Sequence, residues 1–178
     1  MTSRRPLRLL FFPLLVLSFA ACASAPASGW PLTLASSAEN GVTVNVSLER
    51  DSAGGFILAA AFAPEAGFHL YSMDLPREGV DGQGRPTLLE LTPGTRLQAV
   101  GELSESVAAE QADGPEGLRI YPEGPVTLQL AVVLPEGSGW FDDQVSVSYL
   151  ACSGNRCKPP VIARLIPVRL PRMKEIEP

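Results

Sequence analysis

Cys152 and Cys157, separated by Ser-Gly-Asn-Arg, are the residues of this 178-residue chain best suited to covalent chemistry. Cys152 follows an alternating run from Val145 to Ala151, and Cys157 precedes Lys158, Pro159, Pro160 and a second apolar run. Gly154-Asn155 is a turn pair, so the spacing predicts that the two cysteines close a tight hairpin-like loop at disulfide distance. Two roles are open to such a bridge: thiol–disulfide exchange, or a static staple. A ring this short gains roughly 2 kcal/mol in the chain-entropy model, at the low end for disulfides. Short exposed rings also belong to the more reducible kind, which suits exchange.

The remaining chemistry is sparse. There is one histidine, His69, and neither a Gly-rich phosphate loop, a Gly-x-Ser-x-Gly elbow nor a His-rich metal signature, so most hydrolytic and zinc chemistries lack their parts. His69 stands in Gly67-Phe68-His69-Leu70-Tyr71-Ser72. If Phe68 and Leu70 face a core, His69 and Tyr71 project together from the opposite face. Beside a cysteine, an imidazolium there would favour the thiolate, the reacting species in exchange. Met73, His69 and two thiols form an alternative soft donor set for Cu(I), although no Met-rich or His-rich motif accompanies them. No metal and no cofactor is expected for exchange.

The third cysteine belongs to another process. Arg4, Arg5 and Arg8 precede an almost wholly apolar run from Leu9 to Ala21, which is the plan of a secretory signal. The run has 13 residues, short of the roughly 20 that a spanning helix needs. Phe19-Ala20-Ala21-Cys22 resembles a lipobox, so the expectation is a lipoprotein signal over residues 1–21 with Cys22 as the lipidated N-terminus. Ordinary cleavage between Ala21 and Ala27 competes with it, and Arg4-Arg5 faintly resembles a twin-arginine signal. Two or three acyl chains suffice for stable anchoring. The expected location is the periplasm or cell envelope, with the membrane reached through the lipid alone. Residues 1–21 hold three of the 14 basic residues and none of the 19 acidic ones, so their removal takes the formal charge from −5 to −8. An acidic chain with no basic cluster lacks a phosphate-neutralising surface, which argues against nucleic acid as a partner.

These residues need a scaffold, and the rest of the chain reads as one turn-rich β domain. Residues 22–35 are expected to be a flexible linker, 36–172 the domain and 173–178 a tail. Val42, Val44, Val46 and Leu48 alternate with polar residues, as do Val126 to Leu134 and Val145 to Tyr149. With Phe56–Ala63, Phe68–Ser72, Thr87–Leu91, Arg96–Val100, Leu118–Tyr121 and Val161–Val168, these make about nine strands. Pro and Gly punctuate them, and Leu103 to Gln111 allows at most two helical turns. The class predicted is all-β, a two-sheet antiparallel sandwich.

The segment Val147-Ser148-Tyr149-Leu150-Ala151-Cys152 through Cys157-Lys158-Pro159-Pro160 resembles the cysteine signature of the N-terminal periplasmic domain of the thiol:disulfide interchange protein (DsbD) family. There a strand ending in Tyr-x-x-Cys is followed by Cys-x-Pro-Pro. Gly67-Phe68-His69-Leu70-Tyr71 is similar to a second family segment, and Leu118–Tyr121 followed by Val126–Leu134 matches the order of its next strands. The resemblance spans roughly residues 40–168. It implies an immunoglobulin-like sandwich that passes reducing equivalents between exported thiol proteins. Cys157 would form the mixed disulfide, Cys152 would resolve it, and His69 and Tyr71 would tune and shield the pair. Thioredoxin-like exported proteins and a separate membrane electron donor would be the partners. Three departures stand against the pattern. The spacer between the cysteines is one residue short, the stretch Gln111–Gly117 offers no aromatic cap, and the family's transmembrane and thioredoxin-like modules are absent. A non-catalytic immunoglobulin-like envelope module with a structural bridge is the alternative from another class.

Overall fold

The computed structural model describes residues 29–154 and 156–176. In chain order the strands are β1 (Leu32–Glu39), β2 (Val42–Arg50), β3 (Phe56–Pro64), β4 (Leu88–Leu91), β5 (Gln98–Ala99), β6 (Ser104–Glu105), β7 (Glu110–Gln111), β8 (Arg119–Ile120), β9 (Val126–Val133), β10 (Trp140–Tyr149), β11 (Cys152–Ser153), β12 (Arg156–Cys157) and β13 (Val161–Pro171). A single-turn helix, α1, covers Met173–Ile176. No described helix is long and apolar enough to cross a membrane. Pairing is antiparallel throughout the named strands. The larger sheet runs β1-β2-β3-β9-β5, with β6 also on β9, and the smaller runs β13-β10-β4.

Alternation builds the sandwich. Val42, Val44, Val46 and Leu48 of β2, Leu58, Ala60 and Phe62 of β3, and Val126, Leu128 and Leu130 of β9 turn one face of the larger sheet inward. Leu89 of β4, Phe141, Val145, Val147 and Tyr149 of β10, and Ile166, Val168 and Leu170 of β13 meet them in a single core. Burying both inner faces removes apolar surface from water at about 25 cal/mol per Å², the main term holding two such sheets together. Tyr149 adds a polar tie across the layers: its hydroxyl donates to the Glu39 carbonyl at 3.0 Å. Its ring meets Phe62 edge-on at 5.9 Å, and burial pushes the phenol up to about 12.

The all-β sandwich expected from the sequence is the architecture observed, with more strands than the nine foreseen. The additional strands are mostly two-residue pairings, too short to leave a periodic trace. Residues 32–35, read as linker, form the first half of β1. Its polar and small residues, and a register shift between Thr33 and Ala35, hide the strand from a period-two pattern. The stretch Leu103–Gln111 holds β6 and β7 in place of a helix, because Ser104 and Glu105 pair with Gln129 and Leu128.

Leu128, fully buried at the middle of β9, makes the core testable. Leu128→Ala should cost about 2–5 kcal/mol, read as a lower denaturation midpoint at unchanged slope. A loss under about 1 kcal/mol would mean that this face does not form the core.

Candidate redox site

Beyond β10 the chain leaves the sandwich as a narrow hairpin. Cys152 of β11 pairs with Cys157 of β12, and Ser153 with Arg156. Gly154 takes the turn at a φ of +57°, a left-handed conformation that costs glycine little. The two sulfurs are bonded, with Cα atoms 4.0 Å apart. On its other side Cys152 exchanges both backbone bonds with His69: His69 N–H donates to the Cys152 carbonyl at 2.9 Å, and Cys152 N–H to the His69 carbonyl at 3.1 Å. With its N–H and C=O both turned to His69, Cys152 faces Cys157 in a non-hydrogen-bonded pair, the kind that brings side chains closest. Directly opposed side chains share a face of the ladder. His69, Cys152 and Cys157 therefore form one row.

A second row runs alongside. Tyr71 lies opposite Ile120 and Ile120 opposite Glu110. Tyr121 N–H donates to the Leu70 carbonyl at 2.9 Å and Ser72 N–H to that of Arg119 at 3.0 Å. The result is a ribbon of five short segments docked on the sandwich. Alternation sorts its faces: Leu70 and Ala151 enter the main core, with Phe68 packed against it. Tyr71, Leu150 and Cys152 enter a smaller apolar cluster on the other face.

Two loops roof that cluster. Leu75 from one and Leu118 from the other are buried against Tyr71, Leu150 and Cys152, with Val80, Ala112 and Ile120 at the margin. The first loop closes tightly because residue 84 is glycine: a Cβ there would lie 2.8 Å from Tyr71 Cδ1 and 3.1 Å from Leu118 Cδ1. It is fastened by Tyr121, whose hydroxyl accepts from Met73 N–H at 3.0 Å and donates to Glu105 Oε2 at 2.6 Å. Burial, followed by the Glu105 hydrogen bond, holds that phenol far above its ordinary value. The second loop is tied by Gln111, whose amide donates to the Pro115 carbonyl and accepts from Gly117 N–H.

The two sulfurs consequently differ. Cys152 is 0% exposed, while Cys157 lies exposed on the outer arm with Arg156. That arm is anchored where it leaves the hairpin. Lys158 N–H donates to the Ala151 carbonyl at 2.9 Å, Lys158 Nζ sits 3.1 Å from Glu65 Oε2 and 5.0 Å above the Phe68 ring, and Asn40 Nδ2 donates to the Pro159 carbonyl at 3.0 Å. His69 packs edge-on against Tyr71, ring centroids 5.4 Å apart. It borders a concavity of about 250 Å³ lined also by Phe68, Glu110, Ile120 and Glu123.

Burial lowers the His69 pKa and raises that of Tyr71. The lowered value favours the uncharged imidazole at neutral pH, in which form His69 is a proton acceptor. Tyr71 stays protonated.

The structure brings Cys152, Cys157, His69 and Tyr71 together; their spacing suggested the cysteine pair and the His69–Tyr71 pair separately, and only the family resemblance implied that the two meet. Cys22 lies outside the described residues. Met73 packs against the main core and not with the Cys152 cluster, so it does not join the thiols, and the described residues hold no group of three or more His, Cys, Asp or Glu able to bind a metal. Leu75 and Leu118 were not foreseen as site residues. Leu118 alternates with Ile120 in a short apolar run, which was the available signal, whereas Leu75 sits between turns and carried none. They cover Cys152, while Cys157 stays exposed. Comparison with family models, curated proteins and solved structures finds no match to this chain.

After reduction, Cys157 should be alkylated at least about tenfold faster than Cys152, because a buried thiol in apolar surroundings keeps its proton and excludes the reagent. Peptide mapping by mass spectrometry reads the ratio, and equal rates would remove the asymmetry. His69 should titrate with a midpoint below 6.5 in a chemical-shift series. Its folded-state pKa lies under the unfolded value, so the stability it contributes is present above pH 6.5 and lost as pH falls through the folded midpoint. The denaturation midpoint should drop over that window and drop less in His69→Gln. A midpoint at or above 6.5 would show that burial does not lower the His69 pKa.

Proposed function

We propose that the chain is a thiol–disulfide exchange domain resembling the N-terminal domain of the DsbD family, exported and anchored through a lipid on Cys22. The observation that carries this is the unequal exposure of two bonded sulfurs in one hairpin, Cys152 enclosed and Cys157 open. Exchange through a mixed disulfide needs one sulfur that a partner reaches and one that only its neighbour reaches.

In the reducing direction the Cys157 thiolate attacks a partner disulfide. A Cys157–partner bond forms, and the partner's other sulfur leaves as a thiolate that takes up a proton. Cys152 then gives its proton to His69, which stands directly across the ladder. The Cys152 thiolate attacks Cys157 Sγ, the Cys152–Cys157 bond re-forms, and the partner departs with its second thiol reduced. Two electrons pass to the partner. Two further electrons re-reduce the Cys152–Cys157 bond from the thiols of a separate membrane donor, which are oxidised to a disulfide by the same steps in reverse. Thioredoxin-like exported proteins are the partners proposed. Tyr71 shields the pair and, with His69, sets its proton affinity. No cofactor enters.

The competing function is a non-catalytic envelope module whose bridge is static, and the complete burial of Cys152 favours it to the extent that the bridge resists reduction. The reduction potential separates the two. A value near those of thioredoxin-like carriers, on the order of −270 to −120 mV, supports exchange, and one well below about −300 mV supports a staple.

Trapping tests the mechanism directly. Cys152→Ser should accumulate a mixed disulfide between Cys157 and an oxidised thioredoxin-like protein, and Cys157→Ser should accumulate none. If neither variant is trapped while both stay folded, the exchange function is wrong.

A further inference from the structure

We infer that the recess beside His69 is a docking subsite for a lysine or arginine side chain of the partner, which seats a folded thioredoxin-like protein over the disulfide. This rests on the exchange function proposed above and names what that partner must carry.

Position comes first. The row Cys157, Cys152, His69 starts at the exposed sulfur and ends at the recess, the concavity of about 250 Å³ that His69 borders. Ile120 and Glu110 line it too, and the register puts both on the face of the sulfurs. Ile120 lies opposite Tyr71, two residues from His69, and Glu110 lies opposite Ile120. Neighbouring strands stand about 4.8 Å apart, so two spacings set His69 roughly 10 Å from Cys157. A partner that covers about 800 Å² of this surface has a footprint of roughly 16 Å radius. Centred on Cys157, that footprint takes in the His69 edge of the recess.

The lining selects the occupant. The volume lies below the roughly 300–1,000 Å³ of small-molecule sites and suits one long side chain. Phe68, Ile120 and Pro122 give apolar walls. Glu110 and Glu123 add two exposed carboxylates, and neither forms an ion pair among the described residues. Glu123 is held in place, because its Oε1 accepts from Gly67 N–H at 2.9 Å. Lysine and arginine carry a cationic tip on an apolar stem, which matches apolar walls under a carboxylate rim. The chain builds a comparable seat for its own Lys158, whose Nζ lies 3.1 Å from Glu65 Oε2 and 5.0 Å above the Phe68 ring. Neither Lys158 nor Glu65 lines the recess, so the cation that answers Glu110 and Glu123 comes from the partner. Charges placed at the rim of a contact act mainly on encounter rate and on the choice of partner.

The test uses the reduced whole protein and, as probe, an oxidised thioredoxin-like protein that Cys152→Ser traps. Second-order rates of probe reduction are measured at low ionic strength for the wild type, Glu110→Gln, Glu110→Lys and Glu136→Lys. Each is divided by the same variant's rate with bis(2-hydroxyethyl) disulfide, an uncharged reagent, which cancels differences in thiol reactivity. Glu136 is exposed and precedes β10 at the end away from the hairpin, so its reversal controls for net charge. Glu110→Lys should slow reduction of the probe about tenfold or more, Glu110→Gln about threefold, and Glu136→Lys less than about twofold. The Glu110→Lys deficit should shrink as salt is raised. Unchanged ratios in both Glu110 variants would overturn the docking subsite while leaving exchange intact. Equal slowing by Glu110→Lys and Glu136→Lys would overturn it as well, because that reads net charge alone. If the wild type traps and reduces no thioredoxin-like protein although it reduces bis(2-hydroxyethyl) disulfide, the exchange function falls and this inference with it.

Discussion

The reciprocal pair of backbone bonds between His69 and Cys152 governs the site. It joins residues far apart in sequence, and it decides three things together. It places the imidazole directly across from one sulfur. It turns the Cys152 side chain to the face that Leu75 and Leu118 roof. By alternation it also makes the disulfide span a non-hydrogen-bonded pair, so that Cys157 presents its backbone to solvent. A shift of one residue in this register would exchange the faces of the strand. Cys152 would enter the main core in place of Ala151, and the bridge would lie on the wrong side of the ribbon.

The sandwich matters to the site chiefly as a fixed support. β10 delivers Leu150 and Ala151 directly from a strand whose inward residues are packed across the core, and Tyr149 is held at both ends, by Phe62 at its ring and Glu39 at its hydroxyl. The outer arm is held separately, through Lys158 to Glu65 and Pro159 to Asn40. The hairpin is therefore clamped on both arms to the β1–β2 turn region and the end of β3. Its tip carries the disulfide, on a loop that a rigid scaffold positions.

What the sequence disclosed follows from how local each feature is. β2 and β9 are legible because one face meets the core and the other meets water, so Val42 to Leu48 and Val126 to Val133 alternate. β1 is not, because Ala35, Ser36, Ser37 and Ala38 offer no contrast between faces and a bulge interrupts the register. The first half of β10 escaped for a similar reason: Trp140 is exposed and Asp142 and Asp143 follow Phe141, yet its partners Val168 to Pro171 draw it into the sheet. The cysteine hairpin could be read from a turn pair and a spacing. The roof over Cys152 could not, since it forms only when two loops converge. The neutral state of His69 was hidden likewise, because burial is a property of the assembled ribbon.

The aliphatic roof over one sulfur has a consequence for the number of routes open to the bridge. A disulfide with two equivalent sulfurs offers an incoming thiolate two mixed disulfides, and in one of them the partner is bonded to the sulfur that should have expelled it. Enclosing Cys152 beneath Leu75, Leu118 and Tyr71 closes that branch at its entrance. Every thiol able to open the ring without unfolding the loops arrives at Cys157, with the freed Cys152 beside it and in position to reverse or complete the step. Selectivity of this kind comes from shape alone, requires no recognition of the partner's identity, and is already in place before any partner arrives.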